Sequence, residues 1–332
     1  MIKNVFKLGG VAISALLLSA PAFADIPLHQ NFSANGYVAG SYMWTDKGDS
    51  DHYDLDVAKL GFSINYAPTK AYISLFYDGD EINVLDAYVD YDFGNGAVVT
   101  GGRFLSFLGF EAFDAPNMYQ ISYANGDLFG GSALEIAPIP AYHSGVKVVY
   151  SDDAWSAGVA FLDSVYGGLK GDGEVEDNFG VEAFFSFTGV EKLTLFGGIA
   201  FQSEDDDPTD GYTSPEIMTF NFWASYEISD KWLVAGEFTF SDQKDYMDGY
   251  NWLALAKYAI TPKISAVFRV SGEDVDYEDP IETDPSFLKF TLAPAYTITD
   301  NLSVTAEVSY YDYKDYVVKD DVFVGVQAIF KF

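Results

Sequence analysis

The last thirteen residues read DDVFVGVQAIFKF. Val322, Val324, Val326, Ala328, Phe330 and Phe332 make one apolar row, while Asp321, Phe323, Gly325, Gln327, Ile329 and Lys331 make a mixed, partly charged one. A period of two with unlike rows is an extended strand with two different faces. The same alternation recurs upstream. Leu302, Val304, Ala306, Val308 and Tyr310 oppose Ser303, Thr305, Glu307, Ser309 and Tyr311. Met218, Phe220, Phe222, Ala224, Tyr226 and Ile228 oppose Thr219, Asn221, Trp223, Ser225 and Glu227. Phe179, Val181, Ala183, Phe185 and Phe187 oppose Gly180, Glu182, Phe184 and Ser186.

Between the alternating runs lie two kinds of connection. Seven are short and carry Gly, Pro, Asp or Asn, as in NYAPTKAYISLFY, DYDFGNGAVVTGG, SYEISDKWLVAGE and AYTITDNLSVTAE. These suit tight hairpins. The others read as longer and more acidic, as in TDKGDSDH, GGLKGDGEVEDN, SEDDDPTDGYTS, SDQKDYMDG and SGEDVDYEDPIETD. The pattern predicts sixteen strands, at 32–44, 53–66, 70–78, 83–93, 97–107, 143–151, 154–164, 178–187, 191–203, 216–228, 231–242, 249–260, 263–274, 286–298, 301–313 and 321–332. Most exceed the usual globular strand of about 5–6 residues and match a tilted strand crossing a bilayer. No run reads as a long amphipathic helix.

Alternation alone also fits a soluble sandwich, so further features have to decide. The 332-residue chain carries 28 Phe and 24 Tyr, no Cys, and 50 acidic against 18 basic residues, a formal charge of -32. Such a charge excludes nucleic acid as a partner of the overall field. The lack of cysteine excludes a disulfide framework. The first 24 residues read as a secretory leader: basic MIKNVFK, apolar LGGVAISALLLSA, then Ala22 and Ala24 around Phe23. Residues 25–332 would form the mature domain, with a charge of -34 once Lys3 and Lys7 are removed. Aromatics gather at the short-turn ends of the apolar rows: Tyr66, Tyr91, Phe93, Tyr150, Phe187, Tyr226, Tyr258 and Tyr296. An amphipathic ring is stable at a membrane interface, and lipid requires a sheet without edges. The expected fold is all-β: a transmembrane antiparallel barrel, its apolar rows toward lipid and its mixed rows toward water.

One connection is exceptional. Between the fifth and sixth strands, about 107–145, the chain is rich in Phe107, Phe110, Phe113, Met118, Leu128, Phe129, Leu134, Ile136 and Ile139. An exposed loop has no use for these, whereas a loop folded into the barrel and packed on its wall does. This third long connection is expected to narrow the pore; packing on a neighbouring subunit or latching the rim is the alternative. Candidate constriction residues are Arg103, Glu111, Asp114, Asn117, Tyr119, Asp127 and Glu135. Arg103 lies near the end of the fifth strand and Glu111 opens the loop, so a bidentate guanidinium–carboxylate pair would pin it, contact with solute being the alternative role for the two charges.

The stretch around this loop resembles the OmpL-like family of β-barrel porins, and the whole mature chain resembles Gram-negative general porins. The local resemblance rests on Gly102-Arg103-Phe104, Gly109-Phe110-Glu111, Asn117, Ser122, Pro140 and His143-Ser144-Gly145-Val146. It implies diffusion of small hydrophilic solutes across the outer membrane and recognition of terminal Phe332 by the barrel-insertion machinery. A homo-oligomer is a candidate assembly, although with two arginines the basic ladder of trimeric relatives is thin.

The face assignment also places charges on the lumen wall. The basic ones are Lys59, Arg103, Lys147, Lys257, Arg269, Lys289 and Lys331; the acidic ones are Asp86, Asp90, Glu182, Glu227, Glu237 and Glu307. The wall is nearly balanced, which leaves the acidic excess to the outer loops. An acidic mouth concentrates cations, so a weak cation preference is expected, although each wall charge could instead be a neutralised pair. The acidic loops could bridge to lipopolysaccharide through divalent cations, but their spacing fits no EF-hand. Inward Tyr88, Phe196, Trp223 and Tyr311 could form a sugar track or pack against the inserted loop. His29, His52 and His143 are too dispersed for a metal cluster, and no cofactor is expected. A barrel enzyme acting on lipid and a plugged structural or adhesive barrel are the alternative functions.

Overall fold

The computed structural model describes residues 25–47, 50–124, 140–166, 179–204, 215–278, 284–315 and 320–332. The leader, Asp127 and Glu135 lie outside these residues. A short segment, β1 (Ile26–His29), precedes β2 (Phe32–Thr45), β3 (Ser50–Tyr66), β4 (Thr69–Tyr77), β5 (Ile82–Asp92), β6 (Ala97–Leu105), β7 (Tyr142–Ser151), β8 (Trp155–Leu162) and β9 (Gly180–Val190). There follow β10 (Leu193–Gln202), β11 (Ile217–Ser229), β12 (Trp232–Gln243), β13 (Met247–Thr261), β14 (Ile264–Tyr277), β15 (Ser286–Thr299), β16 (Leu302–Lys314) and β17 (Asp320–Lys331). Each strand from β2 onward pairs antiparallel with the next, and β17 pairs with β2. The sheet is therefore a closed barrel of sixteen strands, as the alternation predicts, with β1 added below the seam on β2.

Register follows the two rows. On β16 and β17, Val304 faces Ala328, Val308 faces Val324 and Tyr310 faces Val322. Outward residues such as Val308, Phe222, Phe268 and Leu292 are exposed, while inward Glu307, Ser309, Thr219 and Asn221 are buried. Slipping one strand by a single residue would turn its charges into hydrocarbon. The expected aromatic girdle is present on the outer face near the short turns. Tyr66, Tyr91, Phe93, Tyr226 and Tyr296 are exposed there, and Trp232 packs on Tyr258 with ring centroids 4.5 Å apart.

Two of the expected long connections prove to be partly strand. Only Lys244, Asp245 and Tyr246 join β12 to β13 within SDQKDYMDG, and in TDKGDSDH Thr45 belongs to β2 and Ser50, Asp51 and His52 to β3. Antiparallel pairing continues past the hydrocarbon because no Pro or bulge stops it, and the acidic side chains simply stand in water. At the β4–β5 turn the Asp78 carboxylate accepts the backbone N–H groups of Glu81 and Asp80. Those bonds, that of Glu81 first, hold its pKa below the usual carboxylate value.

Two bulges change which residues face inward. Ile73 faces Ala87 and Leu75 faces Val84, so Ser74 stands opposite both Leu85 and Asp86, and both are buried. Ser74 donates to Asp86 Oδ2 at 2.7 Å. On β3 the register jumps between Ala39↔Val57 and Gly40↔Leu55. The extra residue, Asp56, accepts from lumenal Ser41 (2.7 Å) and Gln327 (3.0 Å).

Candidate pore constriction

At Leu105 the chain leaves the wall and Ser106 N–H donates to Ala141 O at 2.8 Å. The segment 106–124 lies inside the barrel and packs on walls on several sides. Leu108 and Phe107 join one buried cluster, Phe113 a second, Ala124, Phe110 and Tyr119 a third, and Ile121 packs against a fourth. Its regular structure is one 3-10 turn, Ala115–Asn117, in which Asn117 N–H donates to Asp114 O at 2.9 Å. A non-repetitive segment packed against the wall has buried backbone groups with no ladder to join, and each must find a partner.

Wall carboxylates supply those partners. Glu182 on β9 accepts Ser106 Oγ (2.6 Å) and Phe107 N–H (3.1 Å). Asn221 on β11 accepts Gly109 N–H at 3.1 Å and donates to Glu237 at 2.8 Å. Glu237 on β12 accepts Phe110 N–H at 2.8 Å. Glu307 on β16 accepts Ile121 N–H (2.6 Å), Ser122 N–H (3.0 Å) and the Ser122 hydroxyl. A buried carboxylate is costly unless its oxygens accept hydrogen bonds, and an orphaned amide is costly unless it donates. Loop and wall thus remove each other's penalties.

Cations hold the loop at two separate places on the wall. On β14, Arg269 pairs with Glu111 and donates to the carbonyls of Ser122 (2.9 Å) and Tyr123 (3.0 Å). Lys289 on β15 donates to Ser122 Oγ and Tyr123 O, each at 2.7 Å. Ser271 closes this site with a 2.7 Å bond to Ala124 O. The second place is on β2, β3 and β5. Lys59 lies 3.0 Å from Asp86 and 3.2 Å from Asp114, and it donates to Tyr142 at 3.2 Å. Tyr37 donates to Asp114 at 3.0 Å. Every barrel strand carries at least one inward side chain no more than 3 % exposed, among them Lys59, Glu182, Arg269, Lys289 and Phe323.

The expected pairing of Arg103 with Glu111 is corrected. Glu111 bonds Arg269, Gln120 and the Ala124 N–H. By Glu111 the chain has passed β9, β11 and β12 and reached β14, whereas Arg103 stays on β6 between Ala87 and Ser144. Other expected residues are dispersed. Lys147 is buried with its ammonium 4.2 Å from the Phe104 ring centroid, Asp90 accepts Thr100 Oγ1 at 2.7 Å, and Glu227 is exposed near the β11 turn. Of the inward aromatics, Phe196 and Trp223 stack at 5.1 Å on β10 and β11, and Phe184 stacks on Phe196 at 5.8 Å. Phe107 and Phe110 of the inserted segment pack on this row. Sequence reasoning missed Tyr37, Asn221 and Ser271 as loop anchors. Asn221 and Ser271 were visible as uncharged polar residues in inward rows, but nothing local showed that a distant loop would reach them. Among the described residues no group of three or more His, Cys, Asp or Glu side chains could hold a metal.

At the seam, Gly36 N–H donates to Phe332 O and Phe332 N–H to Gly36 O, both at 2.9 Å. The terminal residue therefore completes the ladder that closes the barrel.

Known proteins share this architecture. OmpF of Salmonella typhi, solved with daunomycin, matches with TM-score 0.68 at 13 % identity over 93 % of this chain and 100 % of that one. In-vitro folded OmpT, an outer membrane protein of Vibrio cholerae, matches with TM-score 0.67 at 14 % identity over 93 % and 100 %. An anion-selective porin from Comamonas acidovorans matches with TM-score 0.64 at 13 % identity over 91 % and 99 %. At such identities the likeness is one of fold. No curated protein matches the chain by sequence. A family model described as "Putative beta-barrel porin-2, OmpL-like" matches residues 37–332. With that match over nearly the whole barrel, the chain belongs to the OmpL-like β-barrel porins, proteins of the Gram-negative outer membrane.

Proposed function

We propose that the protein is a passive, non-catalytic channel for small hydrophilic solutes and ions, with a narrow and rigid constriction and a weak preference for cations. The observation that carries this reading is the two-sided anchoring of segment 106–124 inside the barrel, at Arg269 and Lys289 on one side and Lys59 on another. A loop so held reduces the cross-section without leaving it to fluctuate. The chain's charge of -32 against a wall in which many charges are internally compensated supports cation enrichment at the mouth. Residues 1–24 would serve as the export leader and Phe332 as the signal read by the insertion machinery. Outer-membrane lipid and lipopolysaccharide would surround the barrel. A homo-oligomer is part of this reading, on the analogy of OmpT of Vibrio cholerae in its trimer form.

Single-channel recording in planar bilayers tests the proposal. Small, steady, ohmic steps with a modest cation reversal potential are the expected result, and a clear anion preference would remove the selectivity part. A second reading, a structural barrel with a closed lumen, draws on the deep burial of inward side chains on all sixteen strands. A correctly inserted protein that passes no current would establish that reading instead.

A further inference from the structure

Lys59, Arg269 and Lys289 are engaged by carboxylates or loop carbonyls, and Lys147 is buried against Phe104 and Phe107. Lys257 stands apart from them. Its register neighbours on the lumen face are Leu233 on β12 and Val267 on β14, both apolar. Among the described residues no carboxylate lies within ion-pair distance of its ammonium. Its described contact is the Tyr119 ring of the inserted loop, whose centroid is 4.3 Å away. An aromatic face steadies a cation without neutralising it.

Position gives this charge its leverage. Asn251, Leu253 and Leu255, higher on the same inward row of β13, are buried. Lys257 is half-buried, and four residues, about 13 Å of strand, separate it from the turn at Thr261. It therefore sits where the narrowed section of the lumen widens toward the short-turn mouth. Glu227, the carboxylate in its row, is opposite Leu233 and so two strand spacings away, roughly 10 Å. That is well beyond ion-pair distance, so Glu227 does not neutralise the ammonium by contact. Lys70 and Asp90 face each other in register on β4 and β5.

We propose that Lys257, held in place by Tyr119, is the charge-selectivity determinant of this channel: the point in the lumen that retains a small permeating anion, a carboxylate or phosphate, against the otherwise acidic field. The assignment rests on the passive-diffusion reading above.

Reversal potentials in a KCl gradient, recorded for wild type, Lys257→Gln, Lys257→Glu and Lys257→Arg, test it, with heat-modifiable gel migration as the folding check. Removing one fixed charge from a narrow lumen should raise the cation-to-anion permeability ratio about threefold in Lys257→Gln and further in Lys257→Glu. Lys257→Arg should keep the wild-type ratio. If wild type conducts and the Gln and Glu variants keep its ratio, Lys257 is not the determinant and the diffusion reading survives. If correctly folded wild type forms no channels, the diffusion reading fails and this assignment fails with it.

Discussion

Replacing Glu307 by Ala tests whether wall carboxylates hold the constriction. Glu307 is 1 % exposed. It accepts the N–H groups of Ile121 and Ser122 at 2.6 and 3.0 Å, the Ser122 hydroxyl, and Ser309 Oγ at 2.7 Å. A hydrogen bond to a charged group contributes about 1.5–3 kcal/mol, so losing the two backbone bonds alone weakens loop docking by about 3–6 kcal/mol. At 1.4 kcal/mol per decade, that shifts the local undocking equilibrium by roughly 10²–10⁴-fold. The barrel should survive, because the backbone of residue 307 still pairs with Gly325 and the ladder is unchanged. Glu111–Arg269 and Asp114–Lys59 still hold the first part of the segment, and Arg269, Lys289 and Ser271 still bind the carbonyls of Ser122, Tyr123 and Ala124, so the loosened part is the backbone at Ile121 and Ser122. The expected outcome is a larger mean conductance and more open-channel noise, with heat-modifiable migration close to wild type. Glu307→Gln, which keeps one acceptor oxygen, should fall between. A folded Glu307→Ala barrel with wild-type conductance and noise would refute the claim that wall carboxylates fix the constriction.

Lys59→Met leaves Asp86 and Asp114 buried without their ammonium and should destabilise by about 3–5 kcal/mol, read as a lower thermal midpoint in detergent. Adding Asp86→Asn and Asp114→Asn should recover much of that loss. Gly61→Ala places a Cβ 2.1 Å from the Tyr72 hydroxyl and 2.6 Å from Asn35 Oδ1. It should separate their 3.1 Å hydrogen bond and cost about 1–3 kcal/mol, measurable by the same melt. Phe222→Arg, on the lipid face, should cost about 2–4 kcal/mol in a refolding titration into liposomes. An unchanged titration midpoint would argue against that face meeting hydrocarbon.

The amino-acid pattern by itself determined the architecture. Period-two alternation is a local property of each strand, so the rows of Phe330, Phe222 and Val308 could be assigned to lipid without knowing their neighbours. The short turns were equally legible, because Gly, Pro, Asn and Asp act over two or three residues. Even the apolar character of 107–113 foretold a segment packed on a wall. What only the tertiary structure decided was who meets whom. Glu111 and Arg103 are eight positions apart in the chain, yet Glu111 pairs with Arg269, 158 positions away, because the loop crosses the lumen before its carboxylate finds a partner. Bulges at Asp56 and Leu85 reset the inward row by one residue, which no single strand records. Sequence placed the lumen's charges on the wall. Closing the barrel around an inserted segment converted six of them, Lys59, Glu182, Glu237, Arg269, Lys289 and Glu307, into loop anchors and left Lys257 beside Tyr119, because a buried charge is tolerated only where something reaches it.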